Sequence, residues 1–215
     1  MNSQLVDLPL HQEHRFRMTF EEWVAFADED VHGEWVNGEA TVFMTSTGLH
    51  QDVIGFLYRL LTWFTEERGL GAVRLAPYAM RLPDLGWQRE PDLLFVAQAN
   101  LPRLTNARLI GPADLVVEVV SDDSVTRDRL EKRAAYEAAG VPEYWLLDPR
   151  PRHQEATFLR LDNDGHYQEM PLDDEGRLHS SILPGFWLDP TWLWQNPLPR
   201  PQRIVPLILG ETNGG

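Results

Sequence analysis

The chain has 215 residues, 43% of them hydrophobic and 10% aromatic, a composition that supports one well-filled core and excludes intrinsic disorder. It contains no cysteine, which removes disulfides, thiolate zinc sites and cysteine nucleophiles together. A formal charge of −14 argues against a broad basic face for nonspecific nucleic-acid binding, although carboxylates that gather a divalent cation also count in that sum.

Residues 1–17 show no basic segment followed by an apolar one, and no apolar run is long enough to span a bilayer, so a cytoplasmic location is expected. The expected organisation is an N-terminal arm over 1–17, a single domain over 18–194 and a C-terminal tail over 195–215. Thr19 stands three residues before Glu22, the spacing of a capping box, and Phe20, Trp23, Val24 and Ala27 recur at helical intervals, which predicts a short amphipathic helix. Between His32 and Phe43 the pair Asn37-Gly38 is flanked by hydrophobic residues and predicts a hairpin with Glu34 on its first strand. From His50 to Arg68, Val53, Ile54, Leu57, Leu60, Leu61 and Phe64 form one helical stripe, closed by Gly69.

Three strand-like runs follow, Ala72 to Met80, Pro91 to Val96 and Asp114 to Val120, separated by turn-rich segments. A helix is expected from about Ser124 to Ala139, ending at Gly140, and EYWLLDP then supplies a further strand. Beyond Pro149 the runs ATFLRLD, HYQEM and RLHSSI alternate with DNDG and DDEG turns and predict a small antiparallel meander. The proline-rich end after Trp194 reads as a surface-hugging or loose tail.

Glu118 lies in the middle of DLVVEVV, where an ionised side chain needs a partner or a cation. Asp92 follows Pro91 at the start of DLLFV and would converge with Glu118 if the two strands are neighbours. Two carboxylates with water form a ligand set that Mg²⁺ or Mn²⁺ accepts. Lys132 is the only lysine in the chain, all other basic side chains being arginine or histidine. An ammonium is a compact charge suited to a developing phosphorane, which a wide guanidinium does not reproduce. Lys132 lies one turn after Asp128 and one turn before Tyr136, so these three share a helix face.

Together, GEWVNGEA, GLHQDV, REPDLLFV and, above all, ADLVVEVVSDDSVTRDRLEKRAAYEAAGVPEYWLLDP resemble the Uma-two (Uma2) family, a bacterial branch of the PD-(D/E)XK nuclease superfamily. The resemblance covers roughly residues 18 to 190. It implies an α/β fold with a restriction-endonuclease-like core, a mixed central sheet flanked by helices, an N-terminal hairpin and a C-terminal antiparallel meander. It also implies a metal-dependent endonuclease acting on DNA. Asp92 and Glu118 would then bind Mg²⁺ or Mn²⁺, Lys132 would stabilise the attacking water or the transition state, and Glu34 would be an accessory catalytic carboxylate. His50 and Tyr136 are second-line candidates. In the superfamily the lysine stands two residues after the second carboxylate, a place held here by Val120, whereas in the resembling family it comes from the following helix, as Lys132 does.

Each of these residues also has a plainer reading. Asp92 can cap a turn, Glu118 can form a structural buried ion pair, Lys132 can pair with Asp128, and Glu34 can sit on an exposed strand. His50 reads as a surface or capping side chain, and Tyr136, Trp145, Trp187, Trp192 and Trp194 as packing. Two rival functions stay open: a non-catalytic binding or regulatory module on the same scaffold, and a hydrolase of small phosphorylated substrates. The apolar C-terminal third makes a homodimer the expected assembly.

Overall fold

The computed structural model describes residues 14–27, 32–43, 48–120 and 131–210. Helix α1 (Phe20–Phe26) is opened by the expected capping box: the Glu22 amide donates to Thr19 Oγ1 at 3.1 Å and the Thr19 amide to Glu22 Oε2 at 2.7 Å. Strands β2 (His32–Val36) and β3 (Glu39–Phe43) form the hairpin at Asn37-Gly38, whose φ values of 47° and 88° are those of a turn that matches strand twist. Trp23 of α1 is buried on this hairpin against Trp35, Ala40 and Val42. The last residues of the expected arm, His14–Arg17, form β1 and pair with β3.

Helix α2 (Gly48–Glu67) buries Val53, Ile54, Leu57, Leu60, Leu61 and Phe64, the predicted stripe, and Gly69 follows it at φ 59°. The single strand expected over residues 72–80 is instead two strands in different sheets, β4 (Gly71–Leu75) and β5 (Ala79–Leu82). Pro77 explains the break, since it has no N–H to continue a ladder. Strands β6 (Trp87–Arg89), β7 (Leu93–Ala97), β8 (Arg108–Ile110) and β9 (Leu115–Val119) follow. Of the helix expected from Ser124, the structure describes α3 (Arg133–Ala138), with Lys132 in helical conformation just before it; residues 121–130, Asp128 included, lie outside the described residues. Strand β10 (Glu143–Asp148) then runs parallel to β9.

The mixed α/β architecture therefore stands, built on two six-stranded sheets. The first has the order β1-β3-β2-β6-β5-β8 and grows outward from the hairpin. The second, completed by β11 (Glu155–Leu161) and β12 (Tyr167–Glu169), has the order β12-β11-β10-β9-β7-β4. One face of the second sheet, including Phe95, Val117 and Trp145, packs on α2 and on α4 (Pro201–Leu209). Its other face, including Leu94, Val116 and Val120, meets Met80 and Trp87 of the first sheet and Tyr136 of α3. A sheet covered on both faces needs continuous apolar runs, as in DLVVEVV and EYWLLD.

The expected meander is divided. β11 and β12 extend the second sheet, whereas β13 (Leu178–His179) pairs with β14 (Trp187–Leu188) in a separate two-stranded sheet. Glu143 ties that excursion down, its Oε2 accepting from the Ser181 amide and hydroxyl at 2.8 and 2.6 Å. Helix α4 lies in the proline-rich end read as a tail, with Ile204, Val205 and Ile208 in the core shared with α2. No helix among the described residues is long and apolar enough to cross a membrane.

Candidate active site

Strand β9 carries Glu118 between Val116 and Val120 into the space between the sheets, where it is completely buried. Two side chains one helical turn apart reach it: Lys132 Nζ lies 2.8 Å from Oε2, and the Tyr136 hydroxyl donates to Oε1 at 2.5 Å. Burial, reinforced by the negative charge of Glu118 and Glu34, pushes the Tyr136 hydroxyl well above its ordinary range and keeps it a donor.

Glu34 on β2 is buried, not displayed on an exposed strand. Arg89 Nη1, from the adjacent β6, donates to its Oε2 at 2.8 Å. Burial opposes the Arg89 charge, but Glu34 and the other carboxylates nearby outweigh it and hold the guanidinium charged. The second Glu34 oxygen, Oε1, lies 3.8 Å from Lys132 Nζ and accepts no hydrogen bond among the described residues. Lys132 thus stands between a carboxylate of each sheet.

Strands β7 and β9 are antiparallel neighbours with Leu93 opposite Val117, so Asp92, one place earlier, comes opposite Glu118. Its Oδ2 accepts the Val119 amide at 2.7 Å and lies 3.3 Å from His50 Nε2. Burial would raise the Asp92 carboxyl, but His50, Lys132 and the Val119 amide together hold it below the usual range. His50, read from sequence as a surface or capping side chain, is buried at the start of α2 and orients Asp92.

Glu90 escaped the sequence reading. It accepts the Gly33 amide at 3.2 Å, and burial, with repulsion from Glu34, pushes its carboxyl up to about 8. The one available signal was the cluster R-E-P-D between apolar strands, which puts Arg89, Glu90 and Asp92 at the junction of the two sheets. Asp92, Glu118, Lys132, Glu34, His50 and Tyr136 are therefore gathered in one region, with Arg89 and Glu90 added.

Among the described residues no group of three or more His, Asp and Glu side chains is placed to enclose a metal ion. The donor chemistry nevertheless fits a hard divalent cation that keeps part of its water: the donors are carboxylate oxygens, and Glu34 Oε1 is a buried oxygen with no hydrogen bond. Against the carboxylates Glu34, Asp92 and Glu118 stand Arg89, Lys132 and His50.

Residues 18–191 match the family Uma2, described as "Putative restriction endonuclease". The chain belongs to the Uma2 family. The match runs from α1 through β14 and includes every residue of the buried cluster. A solved structure, that of "a putative nuclease belonging to DUF820" from Anabaena variabilis ATCC 29413, is similar with a TM-score of 0.67 and 16% identity. The similarity covers 82% of the present chain and 97% of that one, and it shows that the Uma2 chain shares its fold. No curated protein matches this Uma2 chain.

Proposed function

We propose that the chain is a divalent-metal-dependent endonuclease that hydrolyses phosphodiester bonds of DNA. The observation that carries the reading is the position of Lys132, the sole lysine, with its ammonium 2.8 Å from Glu118 and 3.8 Å from Glu34. Asp92 and Glu118 would hold Mg²⁺ or Mn²⁺, with water and substrate oxygens completing the coordination. The ion, when bound, acidifies a water and offsets charge on the phosphate. Lys132 supplies a positive charge beside the same carboxylates, where it can steady the attacking water or the five-coordinate phosphorus. Tyr136 fixes the Glu118 carboxylate, His50 fixes Asp92, and Arg89 fixes Glu34, the accessory carboxylate. Membership of the Uma2 family supports the same reading.

The deciding experiment is calorimetry of Mg²⁺ and Mn²⁺ on the wild type, Asp92→Ala, Glu118→Ala and Lys132→Ala, beside cleavage of plasmid and single-stranded DNA. Loss of metal binding in both carboxylate variants, with Lys132→Ala retaining metal and losing cleavage, supports the mechanism. A wild type that binds no metal and cuts nothing returns the chain to a non-catalytic module, a reading favoured by the buried Lys132–Glu118 pair, which already satisfies both charges. A cytoplasmic homodimer is part of the same proposal, and sedimentation of the purified chain checks the assembly.

A further inference from the structure

A cleft of about 720 Å³ opens where α1, α2, the β4–β5 connection and the segment before β8 meet, and Glu90 lines it. It therefore borders the buried cluster, since Glu90 accepts the amide of Gly33, the residue before Glu34, and the lining residue Gln88 directly precedes Arg89. Its volume lies within the roughly 300–1,000 Å³ of small-ligand sites. Two arginines, Arg74 and Arg108, line it in a chain whose formal charge is −14. Tyr58 and Tyr78 supply aromatic surface, and the exposed Val24 and Leu75 supply apolar surface.

The fittings of these side chains suit an anion that also has a flat apolar part. The Arg74 guanidinium stands 5.9 Å from the centre of the Tyr78 ring, and the Tyr78 hydroxyl is pinned to the Thr105 carbonyl at 2.6 Å, which fixes the ring. Arg108 Nη1 donates to Gln88 Oε1 at 2.7 Å, which orients that guanidinium at the cleft wall. Aromatic faces beside guanidinium groups are what an unpaired nucleotide uses, its base stacking and its phosphate paired. A duplex hides its base faces and rewards a long basic surface, which an acidic chain with two arginines in the cleft does not offer.

We propose that this cleft holds one unpaired nucleotide of the strand, adjacent to the phosphate that reaches the Lys132 cluster, with its base on the Tyr58 and Tyr78 side and its phosphate on Arg74 and Arg108. The proposal rests on the endonuclease reading and makes an unpaired strand, rather than a duplex, the bound form.

The test is fluorescence anisotropy of a short labelled single strand, the matching duplex and a labelled nucleoside monophosphate, titrated with the full chain in EDTA. Wild type, Arg74→Glu and Tyr78→Ala are compared; Arg74 is exposed, so its variant leaves the core untouched. The single strand is expected to bind more tightly than the duplex, and Arg74→Glu and Tyr78→Ala each to weaken it about tenfold. Equal binding by Arg74→Glu and wild type, tighter binding of the duplex, or binding of the monophosphate but not of the strand overturns the proposal. Cleavage with Mg²⁺ is scored separately: a wild type that cuts nothing yet binds the strand through Arg74 loses the catalytic reading and keeps the cleft.

Discussion

Lys132 and Tyr136 divide one buried carboxylate between them, the ammonium taking Glu118 Oε2 and the phenol taking Oε1. Tyr136→Phe leaves Oε1 without its hydroxyl donor in a buried site. The expected cost is about 1–3 kcal/mol of unfolding free energy, read from urea denaturation. A variant as stable as wild type would mean that Glu118 finds another donor on relaxation.

Lys132→Met removes the cation and leaves the buried Glu118 carboxylate without its ammonium partner. Breaking a buried pair from one side costs about 3–5 kcal/mol, so the melting temperature should fall by many degrees. If Glu118 binds metal, Mg²⁺ recovers more stability in this variant than in the wild type, where the ion competes with the ammonium. Equal recovery in the two proteins would remove Glu118 from the ligand set.

Glu90 provides a pH signature. Its carboxyl is raised from 4.5 to about 8 in the folded chain, so between these values the folded state holds a proton that the unfolded state has lost. The stabilisation this proton gives is complete below 4.5 and is lost as pH rises through about 8, with a slope of up to about 1.4 kcal/mol per pH unit. Glu90→Gln should flatten that slope and be more stable than wild type at alkaline pH. Urea midpoints measured from pH 5 to 9 in both proteins decide it; parallel profiles refute the assignment.

Glu34 is one cause of the raised Glu90 carboxyl, after burial. Glu34→Gln should therefore lower the Glu90 titration point, followed by carboxyl ¹³C shifts, while burial keeps it above the ordinary carboxylate range. No movement would show that the two groups do not sense each other.

Asp92 has the opposite sign. Its carboxyl is held below 3.8, so its stabilisation is present above that value and is lost as pH falls through the lower folded value. Asp92→Asn should blunt acid unfolding, and His50→Gln should shift it to higher pH, both visible in acid titrations by circular dichroism.

The parts of this fold that were legible in the sequence are those set by local chemistry. Thr19 with Glu22, Asn37 with Gly38, and the stripe closed by Gly69 each state their own structure. The neighbour relation of β7 and β9, the condition on which the convergence of Asp92 and Glu118 depended, was left open by the sequence and is met in the structure. What stayed hidden depends on partners distant in sequence. Nothing beside Glu34 announces that Arg89, 55 residues away, will bury it. The prolines of the last segment masked α4, where Pro201 falls in the first turn and costs no hydrogen bond. Within the 72–80 run, only Pro77 marked the passage from one sheet to the other.

The cluster around Lys132 is a joint between two sheets. Glu118 comes from the second sheet and Lys132 from its β9-to-β10 crossover, whereas Glu34 and Arg89 belong to the first sheet. A chain caught with one sheet formed and the other still undocked has each half of the constellation facing solvent, Glu118 with Lys132 on one half and Glu34 with Arg89 on the other. In the proposed mechanism the accessory carboxylate Glu34 therefore joins Asp92, Glu118 and Lys132 only when the whole tertiary structure is complete.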